Sequence, residues 1–360
     1  MQSSFNLIRI AAITLAGALL SGPALSQQKI NLRIGAGNPV GPVEYTTVAA
    51  RMFMPEVTRR AKAEANIEVT WSEGWGGSIA KLPEVLEATQ NGLLDVGVQL
   101  FIFEPSNLFL HNLNYYIPFN TPDPVLATKV TKKVFEEFPI FGEILEKRFK
   151  QRMLGLATVD NYNLITTFDW NKIEDLKGKK IGAGGTNLPL MKPLGIIGVQ
   201  SNFGEAYNNM KTGVYEGYLA NSSAQAGFKF YEAAPHLKII DMGAAVAGGL
   251  SVNINTWNKL PAPLQKIMTE LGARYETEVA EGTARRYKAA LDTIEKAQGT
   301  KVSTLAAAER QKWAQALAGL PNEMAKEADK RKLPGTPVFR AYLKYLREAG
   351  YETPVDFKIE

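Results

Sequence analysis

The chain has 360 residues, no cysteine, only two histidines (His111 and His236) and a formal net charge of +5. Thiol nucleophiles, thiolate zinc sites and iron–sulfur clusters are thereby excluded, and chemistry built on paired histidines has almost no material. The basic excess is mild and mixed with acids, as in KVTKKVFEEF, which describes a solvated helix face rather than a nucleic-acid surface.

Residues 1–26 read as a secretion signal. Arg9 supplies the positive charge, residues 10–20 form an apolar run, Gly22-Pro23 breaks it, and Ala24-Leu25-Ser26 offers a small-x-small cleavage site. The run is about half the ~20 residues a spanning helix requires. The expected product is an exported, periplasmic protein with no stable membrane insertion. Its roughly 330 residues exceed one comfortable core, which predicts two lobes.

Residues 30–34 read as a strand, followed by the loop GAGNPVGP. Residues 45–64 carry helical periodicity, 67–71 form a second strand, 72–78 a loop, 81–91 a helix ended by Gly92, and 95–99 a short apolar strand. This order implies a parallel sheet with helical crossovers, and ligands in such sheets meet the loops at the carboxyl ends of the strands. Residues 125–149 read as a helix interrupted at Pro139, and 153–158 as a strand crossing to a second lobe. Residues 163–166, 180–183 and 198–200 are that lobe's strands, and 248–255 is a strand back in the first. Residues 262–297 form one long helix with Pro263 in its first turn, where proline is tolerated. Residues 306–348 are further helix, broken near Leu333-Pro334-Gly335. The expected fold class is α/β, with a first lobe of 27–157 plus 241–285 and a second of 158–240 plus 286–360.

Several loops carry candidate contacts. Gly182-Ala-Gly-Gly185 precedes an expected helix start near residues 187–189, where free amides and the positive helix end would attract an anion, with Thr186 and Asn187 beside them. Gly35-Ala-Gly37-Asn38-Pro-Val-Gly41 imitates a dinucleotide fingerprint, but its third glycine is late and Pro39 and Pro42 block a helix; Asn38 is the polar contact it offers. Trp75, flanked by Gly74 and Gly76, offers an apolar face at a loop mouth. Tyr162 and Tyr218 would extend an aromatic lining. Asn221-Ser222-Ser223 supplies small polar groups that serve equally a ligand or a helix N-cap.

The segment 174–217, EDLKGKKIGAGGTNLPLMKPLGIIGVQSNFGEAYNNMKTGVYEG, resembles the signature of TRAP-transporter solute-binding proteins of the DctP-like family. LPEVLEATQNGLLDVGV (82–98), the I-P-F at 117–119 and NINTWNKLPAPLQ (253–265) are similar to further elements of that family, in order, over most of the chain. The resemblance implies two lobes with a cleft between them, joined by crossing strands and a long lobe-spanning helix. It also implies capture of a small organic acid by lobe closure, delivery to TRAP membrane permease subunits, and neither catalysis nor cofactor. Family members meet a carboxylate with an arginine just after the K-I strand; Gly182 stands there. The place of a second arginine falls at Tyr162, and that of a following asparagine at Ala220, with Asn221 one step on. The missing guanidinium pair, beside aromatic and glycine-rich loops, leads to the expectation of an aromatic or monocarboxylic acid bound through Asn38, Trp75, Tyr162, Gly182, Gly185, Thr186, Asn187, Asn221 and Ser222. A C4-dicarboxylate or a sensing role is the alternative. A secreted hydrolase lacks a nucleophile with a base and the G-x-S-x-G elbow.

Overall fold

The computed structural model describes residues 28–360; the expected secretion signal lies outside them. Strand β1 (Gln28–Gly35) pairs in parallel with β2 (Ile67–Gly74) along its whole length and with β3 (Val96–Leu100) at its carboxyl end. Helices α1 (Glu44–Val48) and α2 (Met54–Ala65) connect β1 to β2, joined by one π-helical turn at Ala49–Phe53. α3 (Val85–Gln90) precedes β3. After β3 come α4 (Leu113–Tyr116) and α5 (Pro124–Glu137), which Asp123 caps by accepting from the Val125 N–H at 2.8 Å. Pro139 separates α5 from α6 (Ile140–Glu143), as its missing N–H requires.

β4 (Gln151–Val159) passes into β5 (Tyr162–Thr166), followed by β6 (Lys180–Ala183), β7 (Ile197–Gln200), α7 (Phe203–Lys211), β8 (Gly217–Asn221), α8 (Ser222–Gly227) and β9 (His236–Ile239). β10 (Ala245–Asn253) and α9 (Ile254–Trp257) return, and α10 (Ala262–Lys296) follows. β11 (Lys301–Thr304), α11 (Ala307–Ala316), α12 (Leu320–Lys330) and α13 (Gly335–Glu348) close the chain. The strands form two sheets, ordered β2-β1-β3-β10-β4 and β11-β9-β5-β8-β6-β7, and these define two lobes.

Two segments cross between the sheets: Asp160-Asn161, linking β4 to β5, and residues 240–244, linking β9 to β10. Asparagine side chains tie them together. Asn161 Nδ2 donates to Asp241 Oδ1 (2.6 Å) and Tyr287 OH (3.1 Å), while its Oδ1 accepts from the Gly243 N–H (3.0 Å). Asn163 Oδ1 accepts from the N–H groups of Ile240 (2.8 Å) and Asp241 (3.2 Å). Beside them runs α10, whose 35 residues span about 52 Å and contact both β4 of the first lobe and α8 and β11 of the second. Gly155 on β4 and Gly272 on α10 let the two backbones touch: a Cβ on Gly155 would lie 2.3 Å from the Gly272 carbonyl oxygen.

Three expectations need correction. β2 runs on to Gly74, so the first three residues of the expected loop are strand, because β1 supplies pairing partners through Gly35. The strand expected at 248–255 begins at Ala245 and ends at Asn253, whose side chain turns back to cap α9. The helix expected after the glycine loop is two short 3₁₀ turns, Gly185–Leu190 and Lys192–Leu194. Pro189 and Pro193 each remove a backbone donor there, so no helix dipole is aimed from this loop. Among the described residues no helix is long and apolar enough to cross a membrane.

Candidate functional site

The carboxyl ends of β3, β4, β6 and β8 converge where the two sheets face each other. A cavity of about 20 Å³ lies between them. The first lobe lines it with Tyr45 from α1, Tyr115 from α4 and Ile102 just beyond β3; the second adds Tyr162, Asn187, Phe203, Tyr218 and Asn221. A 10 Å³ hollow behind it shares Tyr115, Tyr162 and Asn187. Outside, a groove of about 620 Å³ opens between the same lobes, lined by Asn38, Gly76, Lys81, Asn202, Glu205 and Phe228. The chamber itself has room for about one water molecule, so admission of an organic solute requires the lobes to part.

The local sequence explains the lining. Tyr162 and Asn221 are direct partners across the β5–β8 pair, as are Leu164 and Leu219, so the period-two alternation of both strands sends Tyr162 and Asn221 to one face. Tyr275 of α10 donates its hydroxyl to the Tyr45 carbonyl (3.1 Å), fixing the first turn of α1.

The chamber's polar groups are neutral. Tyr115 and Tyr162 share a hydrogen bond between their hydroxyls at 3.1 Å, and Asn38 Nδ2 donates to the Tyr45 hydroxyl. Burial pushes the Tyr162 hydroxyl up to about 12 and raises Tyr45, Tyr115 and Tyr218 as well, so all four remain protonated hydrogen-bond donors at neutral pH. No lysine, arginine or histidine is among the lining side chains. Two carboxamides stand out. Asn187 is 1% exposed; neither its Oδ1 nor its Nδ2 makes a well-formed hydrogen bond, although its carboxamide lies close enough to the Tyr162 hydroxyl to act on it. Asn221 is 2% exposed; its Nδ2 donates to Asp160 Oδ2 (3.1 Å) and Ser223 Oγ (3.0 Å), but its Oδ1 has none. Burial raises the Asp160 carboxyl from its ordinary value, against the opposing pull of the bonds from Ser223 and Asn221. Buried polar atoms left unpaired are rare in folded proteins and mark places where a partner belongs. Among the described residues no group of histidine and carboxylate side chains could hold a metal ion.

Of the nine residues expected to contact a ligand, Tyr162, Asn187 and Asn221 come together on the chamber, and Asn38 stands at its mouth. The other five sit elsewhere. Gly182 lies under the rings of Tyr218 and Tyr215. Gly185 faces Gln200 and an outer groove, away from the chamber that Gly184 lines. Trp75 packs on the first lobe and donates Nε1–H to the Glu73 carboxylate at 2.5 Å. Ser222 Oγ accepts from Asn163 Nδ2 at 2.9 Å, within the crossing region. Thr186 donates its hydroxyl to the Ile102 carbonyl of the opposite lobe at 3.0 Å; it latches the lobes. Tyr45, Tyr115, Phe203 and Asp160 escaped the sequence reading. Asp160 opens the segment DNYNLI at 160–165, and Tyr115 stands two residues before the family-like I-P-F at 117–119. Tyr45 gave no signal beyond a helical apolar position.

The latch yields a first prediction. A buried neutral hydrogen bond is worth about 0.5–1.5 kcal/mol, and the Thr186–Ile102 bond joins the two lobes. Thr186→Val should therefore weaken ligand affinity several-fold, chiefly through faster dissociation in stopped-flow measurements. An unchanged dissociation rate would mean the bond takes no part in closure.

The family model for bacterial extracellular solute-binding protein, family 7 (DctP), matches residues 40–328. A solute-binding protein of Sulfitobacter sp. (strain NAS-14.1) is 29% identical over 136 residues, 37% of this chain and 41% of that protein, so the match spans under half of the curated relative's length. Several solved structures share the fold. A TRAP periplasmic solute binding protein from Desulfovibrio salexigens DSM2638 has a TM-score of 0.74 at 16% identity, covering 91% of this chain and 98% of that one. One from Rhodoferax ferrireducens T118, in complex with copurified benzoate, has a TM-score of 0.74 at 14% identity, covering 89% and 98%. One from Sulfitobacter sp. NAS-14.1, with bound β-D-galacturonate, has a TM-score of 0.74 at 17% identity, covering 87% and 99%.

Proposed function

The chain belongs to the bacterial extracellular solute-binding proteins of family 7, and on that footing we propose that it captures a small organic acid in the inter-lobe chamber and hands it to a membrane permease. Capture proceeds by closure of the two lobes around the solute, a known mode for two-lobed binders, and no bond in the solute is made or broken. The solute has an apolar or aromatic body and a single carboxylate.

The observation that carries this reading is the uncharged chamber: tyrosine hydroxyls and two underused carboxamides, with no cation. Burying a full charge costs several kcal/mol unless donors or a counter-ion replace its hydration. Tyr45, Asn187 and the Tyr115–Tyr162 pair supply neutral donors for one carboxylate. A C4-dicarboxylate would bring a second charge with nothing to meet it. Benzoate, held by the Rhodoferax protein, and pyroglutamate, held by a marine relative of the same fold, each carry one carboxylate and exemplify the class.

A thermal-shift panel of benzoate, 3-hydroxybenzoate, pyroglutamate, 2-keto acids, succinate and malate tests it. Ligand at 100 times Kd stabilises by about 2.7 kcal/mol, so a true ligand should raise Tm by several degrees. Stabilisation by succinate and malate alone would sink the monocarboxylate reading.

A further inference from the structure

Asp160 is fully buried in the β4–β5 crossing, one side chain behind the chamber wall. Its two oxygens accept from the Ser223 N–H (3.2 and 3.3 Å), from the Ser223 hydroxyl and from Asn221 Nδ2 (3.1 Å). Ser223 Oγ in turn accepts from the same Asn221 Nδ2 at 3.0 Å. With Asp160 ionised, the three side-chain bonds form a closed triangle whose polarity has one consistent assignment. A carboxylate offers acceptors alone, so it takes the NH₂ end of the Asn221 carboxamide, and the serine proton is spent on Asp160. The carbonyl end of Asn221 is left over. It has no partner, it belongs to a residue that is 2% exposed, and that residue lines the chamber.

We propose that Asp160 is a specificity-determining positioning residue: it holds the Asn221 carboxamide with Oδ1 toward the chamber, so that the bound solute must present an N–H or O–H there. The inference rests on the reading of the chamber as the ligand site and adds a requirement to it. The acid is two-ended. Its carboxylate meets the tyrosine hydroxyls and the Asn187 NH₂, and a donor elsewhere on the molecule meets Asn221. Tyr162 and Asn221 are direct cross-strand partners whose Cβ atoms stand about 5 Å apart, so one compact solute, admitted when the lobes part, can reach both side chains. A plain apolar acid would leave the Asn221 carbonyl unsatisfied in a dry site. Sites built to hydrogen-bond a group discriminate strongly against analogues that lack it.

The test uses the full mature protein and two matched pairs of probes: 3-hydroxybenzoate against benzoate, and pyroglutamate against its N-methyl derivative. Calorimetric Kd values in the unaltered protein should favour the donor-bearing member by at least ~10-fold. In Asp160→Asn the new amide accepts from Ser223 and offers its own NH₂ to Asn221. The Asn221 carboxamide then turns over, its NH₂ faces the chamber, and the preference disappears or inverts. Ser223→Ala keeps the Asp160–Asn221 bond and should keep the preference. A merely structural Asp160 would lower both affinities of a pair together and leave their ratio unchanged, which would overturn its assigned role. Equal affinities within both pairs in the unaltered protein would overturn the donor requirement while leaving the chamber as the ligand site. Failure of all four probes to bind would overturn the monocarboxylate reading and this inference together. Should Asp160→Asn not fold, Asn221→Leu decides in its place: loss of the preference supports the carbonyl as its source, and retention overturns it.

Discussion

Replacing Asn187 with leucine should raise the melting temperature of the ligand-free protein and, at the same time, abolish ligand capture. The two effects have one cause. Both polar ends of the Asn187 carboxamide are buried without a well-formed hydrogen bond, the Tyr162 hydroxyl alone lying near, and a poorly satisfied buried polar group costs about 1–3 kcal/mol. Leucine has the same branched shape and no polar atoms, and the hollows of about 20 and 10 Å³ on either side of Asn187 absorb its extra volume. The ligand, in contrast, loses the bond from the Asn187 NH₂ to its carboxylate. At about 1.5–3 kcal/mol for a hydrogen bond to a charged group this amounts to roughly tenfold to a hundredfold in Kd. Differential scanning calorimetry with and without ligand would show Tm rising by a few degrees and the ligand-induced shift vanishing. A lower Tm with affinity intact would reassign Asn187 to the framework.

The second large effect concerns Gly182, where the resemblance places a carboxylate-clamping arginine. A Cβ there would lie 2.6 Å from Tyr218 Cδ2 and 2.8 Å from Tyr215 Cζ. Both rings are fully buried and tethered: Tyr218 donates its hydroxyl to the Ser201 carbonyl at 3.0 Å, and the Tyr215 hydroxyl pairs with Ser201 Oγ at 3.0 Å. Gly182→Ala should therefore cost about 1–3 kcal/mol, the usual range for overpacking a core. It should also weaken binding, because the displaced Tyr218 ring is chamber wall. Gly182→Arg should be worse on both counts. Trimming the obstructing ring tests the cause: Tyr218→Leu combined with Gly182→Ala should cost less than the sum of the single changes by about 1 kcal/mol or more, a coupling expected of residues in contact. Additive costs in urea denaturation would show that the clash is relieved elsewhere.

The sequence was most informative where the chain obeys one period for a long stretch. The helix at 262–296, the strands at 30–34 and 67–71 and the break at Pro139 were all legible, because amphipathic periodicity and proline act locally. Short buried elements were not. GYLAN at 217–221 is too short to show alternation, and it is a strand because β5 and β6 lie on either side of it. The same limit governs the site. Tyr162, Asn187 and Asn221 were reachable because each sits beside a motif with a recognisable order. At Gly182 the sequence offers a backbone contact for a ligand at the expected clamp position, and it gives no sign that the space beside the glycine is filled by a tyrosine 36 positions later. Thr186 was found for the wrong reason, since its partner is a carbonyl 84 residues away. Tyr45 and Tyr115 join the chamber only through the packing of α1 and α4 against the sheets, which no local pattern announces.

The asparagine staples at the crossing segments have a consequence for where such a protein can work. Asn161 and Asn163 hold the two crossings together through carboxamide and backbone groups and the Asp241 carboxylate, the Arg310 guanidinium donates to the Ile240 and Asp241 carbonyls, and among the described residues no ion pair joins one crossing to the other. Mobile ions screen exposed charges over about 10 Å at 0.1 M salt, and they act far less on buried dipoles. A protein outside the cytoplasm meets whatever ionic strength its medium happens to have. With buried hydrogen bonds in place of exposed ion pairs at the crossings, ligand affinity is expected to change little with salt, which Kd measured at low and high ionic strength would check.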